Sequence, residues 1–250
     1  MVISMKSTST LVLIAMLSPI AVAHAESSDV DAVGQWLQAR AMRAASSDDF
    51  ADARQAADEG SYRIVKLADL DAPEAVKEQL RAQIGRSRTE PMRVPGGAIP
   101  SQSELLKTLP RTQRSDAILR QRLPSPPTNL LGTVLGAAEM IGMEPSGALN
   151  GVNSTGLTRF YRLNDVGIVA FNEENFRVPG TLIEVIAEAQ NTAVNGSPAQ
   201  FDMNVDGQGR GRVVLSWAAG EKAYTLTATG DSDVDHKARV LQEIAAAITD

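Results

Sequence analysis

The sequence predicts an α+β fold: an antiparallel sheet of about five strands over residues 157–228, packed with helices near 130–143 and 234–248 and preceded by a small helical N-terminal region. Three observations carry this. Phe201, Met203 and Val205 alternate with Asp202 and Asn204; Val213, Leu215 and Trp217 share a parity, as do Tyr224, Leu226 and Ala228. Alternation at period two marks strands with one buried face and one wet face. The connections, Asp206 to Gly211 and Ala218 to Glu221, carry the turn residues of a meander. Second, Val234, Ala238, Leu241, Ile244 and Ile248 form the apolar stripe of a closing helix, started by Asp231-Ser232-Asp233. Third, Leu130 to Met143 is apolar apart from Thr133 and Glu139. That run is too short to span a bilayer and reads as a buried helix lying on the sheet, its glycines at 132, 136 and 142 permitting close approach.

The remaining elements follow in chain order. Residues 1–25 read as a secretory signal peptide: Lys6 supplies positive charge, Leu11 to Ala23 is an apolar run, and Ala23-His24-Ala25 is a small-x-small cleavage pattern. The run falls short of the ~20 residues a spanning helix needs, so the mature chain is expected to start near Glu26, with no transmembrane segment after cleavage. Residues 26–85 form the helical N-terminal region. Val33, Trp36, Leu37 and Ala41 follow helical spacing, Tyr62 to Leu67 is a short strand, and a helix with Pro73 near its first turn runs through Val76, Leu80 and Ile84 to Gly85. Residues 86–128 carry seven prolines and read as a basic linker with one embedded helix around Ser115 to Arg122. The α+β domain occupies 129–250. Within it Leu157 to Leu163 and Val166 to Phe171 form a hairpin across Asn164-Asp165. Residues 182–190 carry two signals. Thr181 to Glu184 has the capping-box pattern of a helix, whereas β-branched density and Val194-Asn195-Gly196 favour a strand entering a turn. The expectation is a helix.

Charge and composition narrow the function. Basic residues number 24 and acidic residues 30, a net of −6, which becomes −7 once Lys6 leaves with the signal peptide. Residues 81–122 hold nine basic and three acidic residues between two acidic blocks. A nucleic-acid partner for the folded parts is not expected, because a phosphate footprint needs a positive face. With no cysteine there is no disulfide, thiol chemistry or lipidated cysteine. The mature chain keeps one histidine, His236, too few for a histidine-rich zinc site. No nucleophile elbow, dinucleotide fingerprint or phosphate loop occurs, and no catalytic residue is assigned.

Acidic pairs remain: Glu173 with Glu174, Glu184 with Glu188, and Asp202 with Asp206. They leave a carboxylate-based periplasmic hydrolase as an alternative. Asp202-Met203-Asn204-Val205-Asp206-Gly207 matches the first half of a calcium loop, so Asp202, Asn204 and Asp206 are the candidate calcium ligands of a calcium-stabilised binding module. The second half fails, with Val213 in the place of the bidentate glutamate. The phrases Val194-Asn195-Gly196, Leu215-Ser216-Trp217 and Tyr224-Thr225-Leu226 resemble small extracytoplasmic sheet modules of lipoprotein-handling and anti-sigma sensor proteins. That resemblance implies no residue roles. The leading expectation is an exported, periplasmic or secreted, non-enzymatic cell-envelope protein whose C-terminal domain binds a protein or other envelope partner, such as an anionic envelope component.

Overall fold

The computed structural model describes residues 32–46, 61–87, 91–109, 117, 120–150, 153–178, 181–231 and 233–249. The leader lies outside them, as do Phe50 to Ala57, which the sequence reads as a second segment of the N-terminal helix.

The meander forms as its alternation requires. Strands β8 (Ser197–Asp206), β9 (Gly211–Ala219) and β10 (Lys222–Gly230) are antiparallel neighbours, with Phe201 opposite Leu215 and Leu215 opposite Leu226. Gly220 opens the two-residue β9–β10 turn at φ 58°, a left-handed backbone that suits glycine. Beyond β10 the sheet continues through β5 (Gly167–Asn175), β4 (Asn153–Leu163) and β3 (Glu139–Asn150), all antiparallel. On the other side, β7 (Thr192–Val194) and β2 (Met92–Val94) share the outer edge of β8, β7 antiparallel and β2 parallel. The sheet therefore has eight strands, mostly antiparallel, in the order β2-β8-β9-β10-β5-β4-β3 with β7 beside β8. About five strands is an understatement. Between β7 and β2, Asn191 pairs with Phe201 as a strand would, its Oδ1 accepting from Phe201 N and its Nδ2 donating to Phe201 O, both at 2.8 Å.

One face of this sheet is the main core. Across it run Phe201, Leu215, Leu226 and Phe171, then Arg159 and Met143. Helix α5 (Val234–Ala246) covers the β7–β10 part with Leu241, Ile244 and Ala245, as its stripe predicts, while Leu130 and Leu135 join the same core as Tyr161, Val169 and Phe171. The Asn195-Gly196 turn, with φ of 49° and 85°, docks on the end of α5, where Asn195 Nδ2 donates to the carbonyls of Ala246 and Ile248. His236 Nε2 meets Asp165 Oδ2 at 2.8 Å, pinning the start of α5 to the β4–β5 turn.

Two expectations are corrected. The expected helix at 130–143 is one helical turn, α4 (Val134–Ala137), followed by β3. An apolar run without clear periodicity fits a buried strand as well as a buried helix, and each glycine costs about 1 kcal/mol in a helix interior. Pro145, which reads as a helix stop, sits within the edge strand β3, where a missing N–H is tolerated. The helix expected over 182–190 is strand β6 (Leu182–Ile186) and a single 3-10 turn, Ala187–Ala189. Its β-branched residues prevail because β6 finds a parallel partner in β1 (Ser61–Val65), with Arg63 bound to Glu184 at 3.2 Å.

The N-terminal helices α1 (Ala32–Ser46) and α2 (Glu74–Ser87) bury Val33, Trp36, Val76, Leu80 and Ile84 against Leu67, Leu70, Ile186 and Ala189, a second core. Helix α2 continues through Gly85, the expected stop, to Ser87. Within 86–128 lie β2 and a helix not expected there, α3 (Gln102–Thr108), opened by a Ser101–Glu104 capping box. Of the expected helix at 115–122, Ala117 and Arg120 are helical, and Ser115, Asp116, Ile118 and Leu119 lie outside the described residues.

Lys237, in the first half of α5, is fully buried, and burial pushes its ammonium down to about 8 against the opposing charges of Asp231 and Asp233. Between that value and the ordinary 10.5 the unfolded chain binds the proton that the folded chain has released, so stability rises with pH across this window. The full rise is on the order of 3 kcal/mol. Lys237→Met, which removes the buried charge and keeps the length, is expected to raise stability at pH 7 by up to about 3 kcal/mol, the penalty that the lowered pKa records, and to abolish the rise. Urea melts at pH 7 and 10 check both, and an unchanged pH slope in the variant would assign it to another group.

Candidate functional site

The second face of the sheet is set by the opposite parity of the same strands. Its cross-strand rows are Gln200, Ser216, Thr225, Asn172, Thr158 and Glu144, and, beside it, Asp202, Val214, Thr227, Ala170, Phe160 and Gly142. Gln200 and Ser216 are buried, but Asp202, Arg212, Thr225, Thr227, Asn172, Thr158 and Phe160 are only half-buried. Among the described residues Val214, Ala170 and Phe160 of this band belong to no hydrophobic core cluster, unlike the first face under α5.

Short polar contacts tie the band together. Asn172 Nδ2 donates to Ser146 Oγ at 2.7 Å and Thr158 Oγ1 at 2.9 Å, and the hydroxyls of Ser216 and Thr225 meet at 3.1 Å. Gln200 Nε2 donates to Asp202 Oδ2 at 2.7 Å. Burial pushes the Asp202 carboxyl up, with the Gln200 hydrogen bond and the Arg212 charge opposing. Burial likewise pushes Arg212 down, with Asp202 opposing. Two opposite charges are thus held partly dehydrated on a surface rich in hydroxyls and amides, where ligand hydrogen bonds gain strength from the reduced dielectric.

Helix α3 approaches this band. It contacts the central strand β5, while Gly97, just before it, donates to Asp206 Oδ2, a side chain on the second face. Glu104 of α3 pairs with Arg210 at 3.4 Å. No residue of α3 is buried, and Leu106 is 37% exposed, so the helix crosses the polar face without sealing it.

The candidate calcium ligands share this face but have different roles. Asp206 organises the β8–β9 turn: its Oδ1 accepts from Gln208 N and Arg210 N, and its Oδ2 from Gly97 N and Arg210 Nε, at 2.9–3.2 Å. Burial opposes ionisation there, yet these donors hold its carboxyl below the ordinary range. A cation at Asp206 would have to displace Arg210. Asn204 is buried with no hydrogen-bond partner for Oδ1 among the described residues, and Asp202 is engaged by Gln200. Among the described residues no three histidine, cysteine or acidic side chains gather as a metal site.

The acidic pairs are not brought together. Glu173 and Glu174, adjacent on β5, point to opposite faces. Glu173 accepts from Arg159 at 2.7 Å, from Lys222 at 3.2 Å and from the amide and hydroxyl of Thr128 at 2.8 Å, while Glu174 accepts from Thr155. Glu184 holds Arg63 and Glu188 accepts from Leu67 N.

Sequence reading missed the polar band because it followed the apolar parity of each strand. The opposite parity, Asp202, Ser216, Thr225 and Asn172, was the available signal. Helix α3 was also signalled, by Ser101-x-x-Glu104 ahead of Leu105-Leu106.

The described residues define an α+β protein with a large, mostly antiparallel sheet and few helices, none long and apolar enough to cross a membrane. No protein-family model, curated protein or solved structure matches the chain.

Proposed function

We propose that this chain is an exported, non-enzymatic cell-envelope protein whose C-terminal domain binds a protein or other envelope partner on the polar second face of its sheet. One observation carries the reading: the half-buried band of Asp202, Arg212, Thr225, Thr227, Asn172 and Thr158, which α3 crosses without burying a residue of its own. An antiparallel sheet often leaves one face to water. A face that is merely wet, however, has no need to hold an aspartate and an arginine partly dehydrated. The leader pattern at residues 1–25 supports export.

A photoreactive amino acid at Thr227, introduced in living cells, tests the binding face. The expected result is a discrete adduct that disappears in the Asp202→Asn, Arg212→Gln double variant and is absent when the probe sits at the exposed Glu221. An adduct indifferent to that double variant, or none at Thr227, would reject the face as the binding surface. The intact mass of the exported protein, expected to lack residues 1–25, tests the location.

A further inference from the structure

A second, chemically different site lies at the start of β4. There a groove of about 310 Å³ is lined by Arg122, Leu123, Pro124, Asn153, Ser154 and Thr155. Its volume is at the low end of the ~300–1,000 Å³ typical of small-ligand sites. Leu123, Pro124 and Thr155 also wall an inner chamber of about 10 Å³ that reaches Glu173 and Lys222, a space the size of one water.

The rim of the groove is fixed before any ligand arrives. Ser154 and Thr155 are buried, at 5% and 8% exposure. Ser154 N donates to the Arg122 carbonyl at 3.2 Å, Ser154 Oγ to the Gly156 carbonyl at 2.9 Å, and Thr155 Oγ1 to Glu174 Oε1 at 3.1 Å. The Pro-rich wall is held from below, where Lys222 Nζ donates to the Pro126 carbonyl at 2.9 Å.

Charge decides what fits. Arg159 and Lys222 both bind Glu173, and Glu174 is the other acid beside the groove. Arg122 adds a third cation to these two acids, in a chain whose net charge is −6. Its guanidinium makes no hydrogen bond or ion pair among the described residues. A guanidinium with no counter-charge among the described residues, beside a groove where the charges of Arg159, Lys222, Glu173 and Glu174 cancel, is completed by a carboxylate or a phosphate, which accept its paired N–H groups.

We propose that this groove binds a small organic anion, a carboxylate or a phosphate ester, through Arg122, with the amide of Asn153 orienting it. The site is distinct from the polar second face, so either can fail alone.

The test is an NMR titration of the mature protein with inorganic phosphate and, separately, citrate, at constant ionic strength. The expected result is saturable shifts of the Asn153, Ser154 and Thr155 amides. Arg122→Gln should weaken binding at least tenfold, Arg122→Lys should recover part of it, and Arg93→Gln, on β2, should leave it unchanged. Tighter binding of phosphate names a phosphate ligand, and tighter binding of citrate a carboxylate. The proposal is overturned if neither probe shifts these amides with a Kd below about 10 mM, if Arg122→Gln binds as the parent does, or if Arg93→Gln weakens binding equally.

Discussion

Trp217→Ala is expected to lower stability by about 3–5 kcal/mol, the usual cost of emptying an aromatic site in a core. Trp217 is 2% exposed and stands opposite Tyr224 on β10 and Ala199 on β8. Its ring lies 5.0 Å from that of Tyr224 at 25°, and Tyr224 lies 5.9 Å from Phe171 at 20°, so three aromatic rings stack across three neighbouring strands. Removing the first ring opens a cavity that the rigid sheet cannot close and strips Tyr224 of a partner. Against the ~5–15 kcal/mol total of a typical domain, such a loss leaves little reserve. Urea melts measure it directly. A loss under about 1 kcal/mol would mean that the ring is not part of the core.

That core was legible because its signals were local. The parity of Val213, Leu215 and Trp217, the Gly220 turn and the stripe on α5 each declare one periodicity, and all agree. What failed was decided at a distance. Residues 182–186 carry helical spacing and β-branched density together, and only β1, more than a hundred residues earlier, settles the choice. Residues 139–143 became a strand because β4 offered a partner, which an apolar run cannot announce. The candidate site was less legible still. A hydroxyl on the outward parity of a strand looks the same whether water or a helix covers it, and α3 arrives from the Pro-rich stretch. Arg159 was overlooked for the opposite reason. It occupies the core parity of Leu157 and Tyr161, where a charge is admissible only because Glu173 waits opposite the neighbouring Leu157.

Glu173 is therefore the residue whose removal should most loosen the Pro-rich stretch at residues 124–128 from the first face. Its carboxylate, 4% exposed, is the shared acceptor for Arg159, Lys222 and Thr128, and Lys222 in turn holds the Pro126 carbonyl. Glu173→Leu removes the carboxylate that Arg159 and Lys222 share, and breaking a buried pair in this way costs about 3–5 kcal/mol. Glu173→Gln should also be costly, since its amide would point a donor at Arg159 or at Lys222 and the Thr128 amide, which only donate. The cost belongs to the stranded charges and not to lost packing, which a triple variant separates. Glu173→Leu combined with Arg159→Met and Lys222→Met replaces the whole cluster by apolar chains of similar length, and such replacements are often neutral or stabilising. The triple variant is thus expected to regain most of what Glu173→Leu loses in urea melts. If it stays as unstable as the single variant, the cluster contributes shape that apolar chains cannot supply, and the electrostatic account of this part of the core is wrong.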